Sequence, residues 1–482
     1  MVDPSKTAMQ RQGDPGDEVT HGLVLVGVTI VDTHDGSQAR DMTVVIEDGK
    51  IAKIDLTDNM AVGGAARAID AHGKFVVPGY LDMHAHPLGA RDEEGSLAFM
   101  LAHGVTGFRQ MSGSPEMLAA RREGRLLPSV PSPELLVMPG MVLTPFNAGS
   151  IEAAVGEVQS QKAAGADFIK MVEVGSAAFF AALREATQLD LPFAGHIPAS
   201  VSVVDAAQAG MRSVEHLFGS LETCSTDEAA LLRPPEAPPR LPPIGAPDQA
   251  ALVERALANP ILMRPPTYDR EQRIVDTYGE EKSHRLAAQF ASAGTWQVPT
   301  LIRLRTMEVG DDPLYRSDPN LRFMPLATRQ LWESLALQFT ARLPAATRKM
   351  LARLFSLQSG LVKRFQQAGV KMLAGSDFGG GWCIPGAGLH QEFELLGEAG
   401  LSPLEVLRMT TLNGAMFLER EAIMGSVAQG KNADLVLLDA DPLADVKNLK
   451  RIHAVVRGGS YYSSEMLDAL KQKTAQRHSA SR

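Results

Sequence analysis

The sequence predicts an α/β protein, a closed (β/α)8 TIM barrel with a small β-sandwich built from both chain ends. Three observations predict it. Strand-like runs alternate with Ala/Leu/Glu-rich helical patterns through the middle of the chain, the pattern of parallel β-α-β units. Eight such strand candidates occur, the number that closes a barrel. Short Val/Leu-rich, Gly-bounded β segments flank this region on both sides.

Taken in order, residues 1–20 (MVDPSKTAMQRQGDPGDEV and the residue after it) are polar, broken by Pro and Gly, and read as a disordered leader with no signal-peptide core. The runs GLVLVGVTIVD, MTVVIEDGKIAKI and AIDAHGKFVVPG then pair with the later GSVAQGKNADLVLLD and RIHAVVRGG. They assign 21–76 and 422–462 to one composite sandwich. The barrel is expected over 77–421, with strands in FVVPGYLDMHAH, GVTGFRQM, PELLVMPGMVL, ADFIKMVEV, LPFAGHIP, RSVEHLFG, WQVPTLIRL and VKMLAGSDF. Helices such as IEAAVGEVQSQKAAG and SAAFFAALREATQL lie between them. Two connections are longer. LRPPEAPPRLPPIGAPDQ, after the sixth strand, suits a lid or substrate wall, and a helical excursion follows the seventh. Residues 463–482 complete the chain as a C-terminal helix or tail.

Composition narrows the function classes. With 482 residues, 45% hydrophobic and 21% charged, the chain has length enough for a large buried core. A net charge of −9 argues against a nucleic-acid partner, and no run nears the roughly 18 apolar residues of a membrane span. Cytoplasmic location is expected. The two cysteines, Cys224 and Cys383, exclude a disulfide framework and read as free thiols.

Chemistry is expected where the strands end. His84 and His86 stand two apart at the end of the first strand, so both imidazoles point to one face. Neutral imidazole is a good metal ligand. The fourth strand carries Lys170 among apolar residues; the fifth ends in His196, the sixth in His216 and the eighth in Asp377. A lone buried ammonium is costly. A carbamate formed on Lys170 offers two anionic oxygens and lowers the excess charge of a metal pair. The bland alternative pairs Lys170 with Glu173. Taken together, these residues predict a metal site.

The motifs PGYLDMHAH, GADFIKM, AGHIP, SVEHLFG, LAGSD, GLHQEFELLGEAGLSPLEVLRMTTLNGAMFL and GSVAQGKNADLVLLDADPL resemble the amidohydrolase superfamily. The similarity is to its imidazolonepropionase-like and metal-dependent prolidase (Xaa-Pro dipeptidase) branch, and it runs from about residue 22 to about residue 460. These motifs are specific to the superfamily and not to one substrate. The resemblance implies two divalent metal ions, zinc being expected from the donor types. By it, His84, His86 and Asp377 hold one, His196 and His216 the other, and carboxylated Lys170 bridges them. It further implies a metal-bridging hydroxide as nucleophile, Asp377 as the proton carrier, and oxyanion stabilisation on the His196/His216 side.

Further residues are weighed against plainer roles. Arg109, Arg303 and Arg305 suit a substrate carboxylate, or ordinary salt bridges. Tyr268 and Trp296 suit a pocket wall, or packing. His390 is a substrate-site candidate whose bland reading is structural support, and His72 and His103 read as surface residues. Related sequences often carry Arg-Asp where this chain has Arg109 and Gln110, which removes a charge near the rim. The expected function is hydrolysis of an amide bond in a small molecule, a dipeptide or an N-acyl amino acid. Aryl amides of the ochratoxin type, carbamates, phenylureas, lactones and phosphotriesters suit the same site. A non-catalytic barrel subunit is the reading of another class. A homo-oligomer without nucleic-acid or membrane partners is expected.

Overall fold

A computed structural model of the chain describes residues 18–232, 249–263 and 268–480. The central strands are β1 (Tyr80–Ala85), β2 (Val105–Gln110), β3 (Glu134–Val137), β4 (Ile169–Met171), β5 (Phe193–Gly195), β6 (Ser213–Glu215) and β7 (Trp296–Val298). They pair in parallel as two sheets, β3-β2-β1 and β4-β5-β6-β7. Single parallel bridges link the two: Pro139 with Phe168 and Leu143 with Met171 on one side. On the other side stands the segment 371–378. It bridges β7 through Met372 and Gln297, and β1 through Phe378 and Ala85. Leu373 N donates to Gln297 O, Met83 N to Ala374 O and Asp377 N to His84 O, so this segment is held on both edges. All eight expected strand runs are thus hydrogen-bonded to neighbours, the eighth through isolated bridges and not a regular ladder.

Every residue of β1 and β2 is buried, as expected of parallel strands covered on both faces. The covering helices have legible ends. Ile151–Ala164 starts at Ser150, whose side chain accepts from Ala153 N, and stops at Gly165 with φ 88°. Ser176–Gln188 and the long Ala345–Gln367 each send a buried apolar stripe to the same core.

Strands from both ends of the chain meet in one sheet. Leu23–Val31, Gln38–Glu47, Lys50–Leu56, Arg67–Asp70 and Phe75–Pro78 join Leu435–Leu438, Ile452–Arg457 and Ser460–Ser463. The seam is the antiparallel pairing of Leu435–Leu438 with Phe75–Pro78. The expected sandwich is therefore one continuous eight-stranded sheet. It forks at Leu23–Val31, which pairs with Arg67–Asp70 along its first half and Phe75–Pro78 along its second. A shared core of Leu25, Val44, Ile51, Leu437 and Val456 fills it.

The chain passes from this sheet into β1 through Gly79, where a Cβ would lie 2.0 Å from Thr106 Oγ1. The helix Ser464–Ala480 packs back on Glu93–Ala102, with Arg477 and His478 paired to Glu94 and Asp92. Most of the proline-rich run, 233–248, and most of the expected leader, 1–17, lie outside the described residues. Glu18–Val19 pairs with Ala61–Val62. Among the described residues no helix is long and apolar enough to cross a membrane. Cys224 and Cys383 are free and buried.

Candidate metal centre

His84, His216 and Asp377 converge at the carboxyl ends of β1, β6 and the 371–378 segment, and are a group able to hold a metal ion. Asp377 Oδ1 lies 3.3 Å from His84 Nε2 and 3.3 Å from His86 Nε2, and Oδ2 lies 4.0 Å from His216 Nε2. His196 stands next to His216, ring centroids 5.0 Å apart. The backbone is strained at two of these positions: His216 has φ 58° and Asp377 φ 49°. Residues other than Gly seldom hold that region, and such outliers gather at functional sites.

Each imidazole is oriented from behind. His84 Nδ1 donates to Glu215 Oε2 at 2.6 Å. Thr300 Oγ1 donates to Pro299 O, which leaves its oxygen to accept from His216 Nδ1 at 2.6 Å. His86 Nδ1 pairs with Ser112 Oγ at 2.9 Å. In His84 and His216 the Nε2 lone pair is thereby left for the centre, the arrangement that metal-bound histidines use, and Ser112 Oγ is placed to accept from His86 Nδ1 in the same way.

Electrostatics agree with ligation by neutral rings. Burial, reinforced by Lys170, brings the His84 pKa down to about 4. Burial also takes His196 and His216 well below the usual histidine range. Burial alone would raise Asp377, but His84, His216, His86 and Arg303 hold its carboxyl well below the usual range. Lys170 lies in β4 at 2% exposure, and its buried Nζ has no hydrogen-bond partner among the described residues. Burial lowers its pKa to about 8, against the raising effect of Glu215 and Asp377. An amine so placed is uncharged in a useful fraction near neutrality, the form that reacts with carbon dioxide. The donor set and this orphaned nitrogen fit a bound metal pair. Glu173, the alternative partner of Lys170, is instead an exposed residue whose carboxyl pKa is raised by partial desolvation.

Several expected substrate residues have other work. Arg109 is 1% exposed, with Nε on Met83 O, one amino group near Ser213 Oγ and the other on both oxygens of Glu215. Its guanidinium is committed to protein partners beneath the site. Arg305 pairs with Asp312 at 2.6 Å and lies over the Tyr315 ring. Tyr268 is buried, its hydroxyl 3.5 Å from Ile261 O. His390 is buried against Tyr80 and donates from Nε2 to His103 O at 2.8 Å. His103 is itself buried, not a surface residue, while His72 is exposed. Trp296 packs edge-on to Phe417. Only Arg303 of this set reaches the centre, its Nε 3.2 Å from Asp377 Oδ2.

Glu215, Ser112 and Thr300 were not anticipated as partners of the histidines. Glu215 immediately precedes His216 in SVEHLFG, and a strand carboxylate there was the available signal. Phe218 also follows from that motif. It stacks on His196 at 4.6 Å and is 39% exposed, so it forms an apolar edge of the site.

Comparison with known proteins agrees with this geometry. Residues 353–461 match the Amidohydrolase family. The imidazolonepropionase of Mycolicibacterium smegmatis is 38% identical over 76 residues, 16% of this chain and 16% of that protein. Such alignments span only 14–16% of the length of the curated relatives matched. Among solved structures, a bottromycin amidohydrolase superposes with TM-score 0.70 at 23% identity, covering 94% of this chain and 90% of that one. A Xaa-Pro dipeptidase with bound methionine superposes with TM-score 0.59 at 17% identity, covering 92% and 99%. The resemblance to the amidohydrolase superfamily is thereby borne out. The family match covers residues 353–461, and these two solved structures, both under 25% identical, share the fold.

Proposed function

We propose that this protein is a binuclear metal-dependent amidohydrolase on a closed (β/α)8 barrel, cleaving the amide bond of a dipeptide or an N-acyl amino acid. One observation carries the reading. Three imidazole Nε2 atoms surround the Asp377 carboxylate, and a buried Lys170 Nζ, unpartnered among the described residues, belongs to the same charged cluster. His84, His86 and Asp377 would hold one ion, His196 and His216 the other, with Lys170 as a shared carbamate and zinc as the metal suited to these donors. Bound there, the ions would supply Lewis-acid polarisation of the carbonyl and a water acidic enough to attack at neutral pH.

The chain's own groups do the rest. Asp377, kept ionised, can accept a proton at Oδ1 and return it to the departing nitrogen. Arg303 Nε, on Oδ2, keeps the other oxygen engaged and the carboxylate oriented. Glu215 and Thr300 keep the imidazoles turned inward.

Phe218 favours a second reading at the same site, aryl amides of the ochratoxin type, because an exposed ring beside His196 offers apolar contact to an aromatic acyl or leaving group. Trp382, on the loop after Asp377, helps line a groove of about 680 Å³ with Leu326, Arg329 and Leu337. None of the histidines lines that groove.

The deciding experiment loads the purified protein with zinc and screens dipeptides, N-acyl amino acids, aryl amides, carbamates, phenylureas, lactones and phosphotriesters. Hydrolysis of the first two classes is expected. Turnover of none by protein holding two equivalents of zinc would favour the non-catalytic subunit. Homo-oligomerisation belongs to the same proposal and is checked by light scattering.

A further inference from the structure

The helix Leu301–Glu308 follows β7 directly, and its start carries two contacts into the site. Thr300 Oγ1 lies 2.6 Å from His216 Nδ1, and Arg303 Nε lies 3.2 Å from Asp377 Oδ2. Thr300 has φ 45° and ψ 52°. For a β-branched residue this left-handed conformation is an outlier, and it persists only where the surroundings impose it. Because its hydroxyl is spent on Pro299 O and His216, Thr300 does not cap the helix. The first N–H groups of that helix therefore need an acceptor from elsewhere.

Glu392 supplies one from the helix Ala387–Glu398. Its Oε2 accepts from Ile302 N at 2.7 Å, and the Leu301 N–H also faces the carboxyl. The side chain is 0% exposed, and Oε1 has no partner among the described residues. A carboxyl buried this way, with no cation paired to it among the described residues, is an expensive choice for filling space. Its one visible task is to hold the start of Leu301–Glu308.

We propose that Glu392 is a positioning residue: by capping Leu301–Glu308 it imposes the strained Thr300 conformation that aims Thr300 at His216 and Arg303 at Asp377. The consequence for metal binding rests on the function proposed above, whereas the geometric claim does not.

Crystal structures and zinc affinities of wild type, Glu392→Gln and Glu392→Ala test it, with zinc alone as probe competing against a chelating dye. In Glu392→Ala, Thr300 Oγ1 should leave His216 Nδ1, and zinc affinity should fall about 10-fold or more. On any substrate found, kcat should fall more than KM rises. Glu392→Gln, which retains an acceptor oxygen, should keep the contact and stay within about twofold of wild-type affinity, by the same scale. Should the alanine variant not fold, Glu392→Asp, with its acceptor drawn back by one methylene, should loosen the same contact to a lesser degree. An unmoved Thr300 in Glu392→Ala or Glu392→Asp overturns the proposal, as does a glutamine variant as impaired as the alanine. Wild type that binds no zinc would defeat the proposed function, and the crystallographic comparison would still decide the role of Glu392.

Discussion

At Asp377 four side chains meet one carboxylate: His84 and His86 on Oδ1, Arg303 and His216 on Oδ2. Asp377→Asn keeps the shape and removes both the charge and the proton-accepting capacity. Turnover should fall by about 10²–10⁴-fold, the range of a lost general base, while the melting temperature changes little. An asparagine variant of undiminished kcat would remove Asp377 from the proton path. One layer below, Arg109 and Glu215 form a fully buried pair that also fixes His84. Truncation to Arg109→Met leaves Glu215 charged and buried without its cation, held only by hydrogen bonds from His84 and Ser213, at a cost of about 3–5 kcal/mol. Adding Glu215→Met should recover much of that stability in urea titrations but not the metal site. A double variant no more stable than Arg109→Met would show that the charge is not what matters. These two residues also mark where legibility ended. The metal-ligand candidates were readable because their type and strand-end position both point to metal. Arg109 has the position of a substrate clamp, and only the fold reveals that Glu215 stands under it.

At the scale of elements, the strand runs were legible because apolar strands alternate with amphipathic helices along a single chain. What the pattern did not disclose is how the last run, 371–378, would pair. It lies between β7 and β1 on isolated bridges, and it brings Asp377 beside His84. Gly375 makes that approach possible. A Cβ there would lie 2.7 Å from His84 Cβ and 2.9 Å from His84 N. Backbone that close cannot yield cheaply, so Gly375→Ala should push the segment away from β1 and part Asp377 from His84. The expected result is zinc affinity lower by about 10-fold or more, the scale of disturbed ligand orientation, with far-UV circular dichroism unchanged. Wild-type affinity in this variant would mean that Asp377 can follow His84 without the close contact. The helices between β6 and β7 were harder to read, because a long connection is constrained by what it covers and not by strand alternation.

For the whole molecule, buried histidines set the response to acid. Burial lowers His84 and His390 to about 4 and takes His103, His196 and His216 well below 6.5. An unfolded chain protonates these rings near 6.5, whereas the folded one resists until far lower pH. Between those limits the unfolded state binds more protons, so stability is full above about pH 6.5 and is lost as pH falls towards 4. Each ring contributes about 1.4 kcal/mol per pH unit inside its window. Three carboxyls oppose this, Glu173 among them, its pKa raised by partial desolvation. Burial raises Asp82 to about 6 and Glu392 to about 8, and each favours the folded state as pH falls below its raised value. Five rings outweigh three carboxyls, so the metal-free protein should lose stability steeply between pH 6.5 and 5. His390 isolates the effect from the metal centre. It lies where Ala387–Glu398 meets His103 and Tyr80, and its Nε2 donates to His103 O. Urea midpoints of chelator-treated protein should fall from pH 7 to 5, and less steeply in His390→Gln, whose amide can still donate to His103 O. Equal slopes in the two proteins would mean that His390 takes up its proton without loss of packing.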